Sequence, residues 1–151
     1  MHIGRTKQAS NGQTQQLRVR ASTLSKYASL SQLDKYEKEL LAGWEEVYKK
    51  GHLTLWILLS LKHSPKHMTQ IKRFLQAYTD GTLWADDKSI YRALRRYEKA
   101  DMVGYRTKPS KGGPDLKVYH LTDIGRRVLD YFVRRNILSV YYNQHVKELL
   151  Q

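Results

Sequence analysis

D-D-K-S-I-Y-R-A-L-R-R-Y-E-K-A-D-M-V-G-Y-R-T-K (Asp86–Lys108), P-S-K-G-G-P (Pro109–Pro114) and D-L-K-V-Y-H-L-T-D-I-G-R-R (Asp115–Arg127) follow one another without a gap. In the first piece Ile90, Ala93, Leu94 and Tyr97 recur at three- and four-residue spacing, which predicts a helix with one apolar face. Asp86 and Asp87 suit its N-terminus as caps and through their charge. Met102 to Thr107 and Lys117 to Leu121 alternate as paired strands do, and the Pro- and Gly-containing piece between them is a hairpin loop. Thr122-Asp123 opens another helix. A basic helix followed by a basic hairpin is the element order of a winged helix-turn-helix. The expected class is therefore mainly α with a small β-hairpin wing (α+β), flanked by N- and C-terminal dimerisation helices.

Outward from this segment, Met68, Ile71, Phe74, Leu75 and Tyr78 mark the inner face of a preceding helix, roughly His67 to Tyr78, and Asp80-Gly81 makes the turn. Before it, Leu53 to Leu61 is apolar around most of a helix and reads as the buried centre, ended at Ser64-Pro65. Ser31 is placed to cap a further helix reaching Lys50, with Gly51 as the break. Ile124, Val128, Leu129, Phe132, Val133, Ile137, Val140, Tyr141 and Val146 give one long final helix. That helix carries more apolar surface than so small a domain covers alone, so a second copy is the expected cover. The Ser31–Lys50 helix, anchored by Trp44 and Tyr48, is the expected partner surface.

The chain has 151 residues, enough for one domain with modest extensions. Its net charge of +13 attracts polyanions. No run approaches the length of a membrane span, and the first residues lack the apolar core of a secretory signal. Cysteine is absent, which removes disulfides and thiolate metal sites. These features point to a cytoplasmic, nucleoid-associated chain with no membrane partner. Eleven tyrosines stand against two phenylalanines, favouring half-buried positions and interfaces. Residues 1–30 hold Arg5, Lys7, Arg18, Arg20 and Lys26 and no acid, with few large apolar side chains, and read as a flexible basic tail. Residues 31–121 then form the N-terminal helix and DNA-binding domain, and 122–151 the dimerisation helix.

On the Asp86–Asp101 helix the positions not needed for the core are Lys88, Ser89, Tyr91, Arg92, Arg95, Arg96 and Lys99. A helix in the major groove reads base edges mainly from its N-terminal part. Lys88, Ser89, Tyr91 and Arg92 are thus the expected readers, with Arg95 and Arg96 better placed for phosphates. In the wing, Lys108, Lys111, Gly113 and Lys117 are expected at the backbone or minor groove. Thr69 and Lys72 on the preceding helix are further phosphate candidates.

The runs S-I-Y-R-A-L-R-R-Y-E-K-A-D-M-V (Ser89–Val103), G-G-P-D-L-K-V-Y-H-L-T-D-I-G-R-R (Gly112–Arg127) and L-T-L-W-I-L-L-S-L-K (Leu53–Lys62) together resemble the PadR family of bacterial transcriptional regulators. The resemblance covers about Leu53 to Leu129. It implies a winged-helix homodimer on operator DNA, usually a repressor, with the C-terminal helix supplying dimer contacts and aromatic or cationic ligands relieving repression in some members. It places Ser89, Tyr91 and Arg92 at the start of the recognition helix, and Lys111 and Gly113 in the wing. Where the family often has a Pro-Gly-Thr-Leu-Tyr-like opening, this chain has Asp87-Lys88-Ser89-Ile90-Tyr91.

Other chemistries fit less well. Pro114-Asp115-Leu116-Lys117 has the acid-x-lysine part of a nuclease motif but no second, separated carboxylate for a metal. His63 and His67 have helical spacing interrupted by Pro65 and no further ligands nearby. No cofactor and no catalytic role are expected. The alternative to a regulator is an architectural or assembly winged helix with little sequence preference. A small aromatic effector is a further expectation, from Trp44, Tyr48, Trp56 and Tyr131.

Overall fold

The computed structural model describes residues 30–151. The expected basic tail lies, but for Leu30, outside the described residues. Two compact units divide the chain, one ending at Glu46 and the other running from Val47 to Gln151. A 3-10 turn at Leu30–Gln32 leads into α1 (Lys35–Ser60), which carries the boundary between the units inside it. The second unit continues with β1 (Lys66–His67), α2 (Met68–Tyr78), α3 (Asp87–Lys99), β2 (Val103–Lys108), β3 (Leu116–Leu121) and α4 (Asp123–Val133). It is mainly helical, with a three-stranded antiparallel sheet in the order β1-β3-β2.

α1 departs from expectation at both ends. Its N-terminus is closed by a reciprocal capping box, in which the Glu37 N–H donates to Asp34 Oδ1 and the Asp34 N–H to Glu37 Oε2, both at 2.8 Å. The cap is therefore the D-x-x-E pattern at Asp34, three residues beyond Ser31. Nor does Gly51 break the helix, which runs through it for 26 residues. A helix-interior glycine costs about 1 kcal/mol relative to alanine. The apolar run that follows, with Ile57, Leu58 and Leu61 buried, outweighs so small a penalty.

The core joins α1, α2, α3, the sheet and α4. Ile57, Leu61, Ile71, Leu75, Ile90, Leu94, Val103, Leu121 and Leu129 are all buried in it. Tyr78 is the exception to the spacing on α2: it is exposed, with its ring stacked on Phe74 at 4.1 Å between centroids. Its place at the last position of the helix puts the side chain past the edge of the core. Between α2 and α3 the chain turns through Asp80 and Gly81, both at positive φ. Thr79 Oγ1 accepts from the Leu83 N–H at 3.1 Å and donates to the Leu75 carbonyl at 2.7 Å. Buried Leu83 and Ala85 pin the turn from below.

The strands pair from Val103↔Leu121 to Lys108↔Leu116, so the wing projects as a regular hairpin. Its loop passes through Gly112 at φ +82, a conformation glycine adopts without strain. β1, only two residues long, adds Lys66↔Tyr119 and His67↔Val118. No periodicity could announce so short a strand.

The expected single C-terminal helix is interrupted. After α4 comes a π-helical stretch (Arg134–Leu138), then α5 (Ser139–Tyr141) and α6 (Gln144–Leu149). Side chains compete with the regular ladder here. Asn136 Nδ2 donates to the Phe132 carbonyl at 3.1 Å, and Ser139 Oγ donates to the Arg135 carbonyl. Asn143, in extended conformation, accepts from the His145 N–H at 2.9 Å and starts α6 as its cap. No helix among the described residues is long and apolar enough to cross a membrane.

Candidate nucleic-acid interface

α3 presents a divided cylinder. Ile90, Ala93 and Leu94 are buried on one side, and Lys88, Arg92, Arg95 and Lys99 are exposed on the other. Its start is fixed by Asp86, whose Oδ1 accepts from the Ser89 N–H at 2.6 Å. That backbone bond, the Ser89 hydroxyl and the nearby Arg92 and Lys88 hold the Asp86 carboxyl below its ordinary range. The second acid of the opening, Asp87, is ion-paired with Lys72 of α2 at 2.7 Å. Both carboxylates thus have partners within the helix-turn-helix. The pair also joins its two helices, and it commits Lys72, one of the expected phosphate contacts, to Asp87.

Elsewhere the same kind of engagement sorts the cations. Lys62 pairs with Asp130 at 2.8 Å and lowers the Asp130 carboxyl in turn. Arg126 donates to the Lys62 carbonyl at 3.0 Å. Arg96 donates to Thr54 Oγ1 on α1 at 3.1 Å and lies over the Tyr97 ring. Arg92, Arg95, Arg96 and Lys99 still line one open groove of about 450 Å³ along α3.

Tyr91 turns toward the wing. It is hydrogen-bonded to Tyr119 of β3, a residue only 2% exposed. Burial pushes the Tyr119 phenol well above the ordinary tyrosine value, and the bond to Tyr91 acts in the same direction. In the hairpin, Lys108, Lys111 and Gly113 are exposed, as is Thr69 at the start of α2. The Lys117 ammonium lies 4.0 Å from the centre of the Tyr105 ring, a cation–π contact that orients it without cancelling its charge. Two features were not legible as site residues in the sequence. Lys99 stood among the exposed positions but gave no sign of joining Arg92 and Arg95 in one groove. Trp84, in the turn before α3, is exposed with the Lys49 ammonium 5.2 Å from its ring centre. A solitary Trp next to buried Leu83 and Ala85 reads as core.

The Asp86 and Asp130 carboxyls give the fold an acid-sensitive part. A carboxyl held low in the folded state stabilises it above the unfolded value, about pH 4, and loses that contribution as pH falls through the folded value. Melting temperature followed from pH 6 to pH 2 is expected to fall below about pH 4. In Asp86→Asn, whose amide oxygen still caps the helix, part of that fall should vanish. An unchanged acid profile would show that the cap carboxylate carries none of it.

Residues 57–131 match the model of the Transcriptional regulator PadR-like family. Among solved structures, the PadR-like transcriptional regulator from Bacillus cereus strain ATCC 14579 is 28% identical with a TM-score of 0.55, over 68% of this chain and 94% of that one. A PadR family regulator from Eggerthella lenta DSM 2243 is similar in fold, at 20% identity and a TM-score of 0.59, over 78% of this chain and 98% of its own. Bacillus subtilis PadR in complex with operator DNA is also similar in fold, with 23% identity and a TM-score of 0.51 over 56% of this chain and 48% of that chain. No curated protein matches. By its residues 57–131, and by the winged-helix arrangement of α2, α3 and the β2–β3 hairpin, the chain belongs to the PadR-like family of transcriptional regulators.

Proposed function

We propose that this protein is a sequence-specific DNA-binding repressor that acts as a homodimer on an inverted-repeat operator in the bacterial cytoplasm. One observation carries the reading. The exposed cations of α3 and of the adjoining wing stand together on one side, while the acids at the α3 opening are internally satisfied. α3 enters the major groove, with Lys88, Ser89 and Arg92 toward bases and Arg95 toward phosphates. Lys108, Lys111 and Gly113 of the wing hold the backbone beside it, and Thr69 adds a contact from α2. Arg96 and Lys72 reach phosphate only by giving up Thr54 and Asp87. The operator complex of Bacillus subtilis PadR supports this mode by likeness of fold.

Recovery of bound genomic DNA followed by motif finding tests the proposal. An inverted repeat with half-sites about one helical turn apart, bound at least ~10³-fold more tightly than scrambled duplex, is the expected result. A flat, salt-sensitive affinity across sequences would instead make this an architectural protein. Repression itself is read from transcription of the recovered promoters with and without the protein.

Two copies are motivated by uncovered apolar stripes. Ile124, Val128 and Tyr131 share one exposed side of α4, and Tyr36, Leu40 and Trp44 recur every four residues, exposed, on α1. Val128→Glu is expected to convert a dimer to a monomer at micromolar concentration with helicity retained, as read by light scattering and circular dichroism. A Val128→Glu protein that stays dimeric would move the interface off α4.

An aromatic effector completes the proposal, motivated by Trp44, Tyr48, Trp56 and Tyr131. An apolar cavity of about 300 Å³, bounded by Gly51, Leu55, Leu58, Tyr97, Met102 and Phe132 among others, contains none of those four. Planar aromatic compounds that change neither Trp fluorescence nor operator affinity would remove the effector from the proposal.

A further inference from the structure

The cations of the second unit fall into two groups. Lys62, Lys72, Arg96 and Arg126 are each held by an acid, a hydroxyl or a carbonyl of the chain itself. Arg95, Lys99 and Lys117 have no ion pair among the described residues. These three line one cleft of about 410 Å³ between α3 and the wing strand β3, together with Tyr91, Glu98 and Tyr119. Three positive charges against the one carboxylate of Glu98 leave the cleft with a net charge of about +2. Like charges gathered in a concave surface repel one another, and the field they focus attracts an anion.

The floor of the cleft is rigid. Tyr91 and Tyr119 bond to each other across it, Tyr119 is buried, and Tyr105 packs on Tyr119 at 5.9 Å between ring centroids while carrying Lys117 on its own ring. Tyr91 is thereby a strut between helix and wing, and not a reader of bases. Duplex geometry then says what fills the cleft. When α3 lies in the major groove and the hairpin in the adjoining minor groove, the sugar–phosphate strand that separates the two grooves passes between them.

We infer that the cleft between α3 and β3 is a binding track for a DNA backbone phosphate, with Arg95, Lys99 and Lys117 as its ligands and the Tyr91–Tyr119 pair as its floor. The inference rests on the proposed function, because it presumes that α3 docks in duplex DNA. It adds Lys99 to the contact set and takes Tyr91 out of it. The track fixes how deeply α3 sits and carries no sequence information of its own.

The test uses the full chain and duplexes carrying either a recovered operator or its scrambled counterpart. Each phosphate contact contributes about 0.9 to the slope of log affinity against log salt concentration. Lys99→Gln and Lys117→Gln should therefore each lower the slope by about 0.9 per contact, by the same amount on both duplexes. Equivalently, the gap between variant and wild type narrows about threefold from about 50 mM to about 200 mM salt. Single methylphosphonates placed along the strand should locate the phosphate: neutralising it weakens the wild type but not the Lys99→Gln/Lys117→Gln double variant. Circular dichroism establishes that the variants are folded. If wild type binds duplex DNA while both slopes stay unchanged, the track is overturned and the proposed function survives. If wild type binds no duplex DNA at all, the proposed function falls and the track with it.

Discussion

Gly125→Ala is expected to cost at least about 3 kcal/mol, toward the upper end of what overpacking does, and to lower the melting temperature by roughly 10 °C. A Cβ at this position would sit 2.0 Å from the carbonyl oxygen of Met102 and 2.8 Å from its carbonyl carbon. The obstacle is backbone, so no side chain can swing aside. It is also backbone with other duties. The Met102 carbonyl accepts from the Thr122 N–H at 3.1 Å, and the Met102 N–H donates to the Tyr97 carbonyl at 2.9 Å. Thr122 Oγ1 accepts from the Gly125 N–H at 3.0 Å and donates to the Asp101 carbonyl at 2.5 Å. One corner thus closes α3 onto β2 and opens α4 from β3. Relieving the clash means lifting α4, which strips the cap and uncovers Leu129 and Val103 together.

Gly51→Ala is the matched control. An added Cβ there meets nothing within 4 Å, and the position is helical. Alanine should stabilise the chain by up to about 1 kcal/mol through helix propensity and the unfolded state. Denaturant unfolding of the two variants should therefore shift the midpoint in opposite directions. If both glycines tolerate alanine, the corner is softer than its contacts say, and close approach is not why Gly125 is there.

These two glycines also mark how far the sequence could be read. The L-T-D-I-G-R-R run announced a capped helix, and Thr122 caps it, but nothing local said that Gly125 touches Met102. That contact spans 23 positions and exists only once the hairpin has folded back. The inner face of α3 was legible because Ile90, Ala93, Leu94 and Tyr97 obey the helical period, and Asp86 because caps are local. The fates of the charges were not. Whether a lysine reaches solvent or an acid depends on what tertiary packing sets beside it. So Lys72 was taken for a phosphate contact until α2 brought it to Asp87. Tyr91 was taken for a reader until the wing brought Tyr119 to its hydroxyl. The broken C-terminal helix was hidden for a different reason. Asn136, Ser139 and Asn143 occupy positions that the apolar pattern ignores, and their side chains act on the backbone rather than on the core.

Within the proposed mode of binding, Arg92→Ala should lower operator affinity about 100-fold or more while lowering affinity for scrambled duplex far less. The magnitude follows from symmetry. One well-made bidentate contact to a base is worth about 1–3 kcal/mol of discrimination. A two-fold dimer presents Arg92 twice, so one substitution removes two such contacts, about 2–6 kcal/mol per operator. Arg92 is the residue to test because it is exposed in the N-terminal half of α3, with no carboxylate paired to it among the described residues. The two acids ahead of it are kept out of play, Asp86 by the Ser89 N–H and Asp87 by Lys72, so α3 meets the groove as a cationic end. Lys111→Ala at the wing tip provides the contrast. A lysine on a phosphate should lose affinity by a similar factor on every sequence and take about one unit from the salt slope. Anisotropy titrations at one salt concentration, on operator and scrambled duplex in parallel, separate the two behaviours. Equal losses on both duplexes for Arg92→Ala would place Arg92 on the backbone, and the reading of sequence would then pass to Lys88 and Ser89 at the start of the helix.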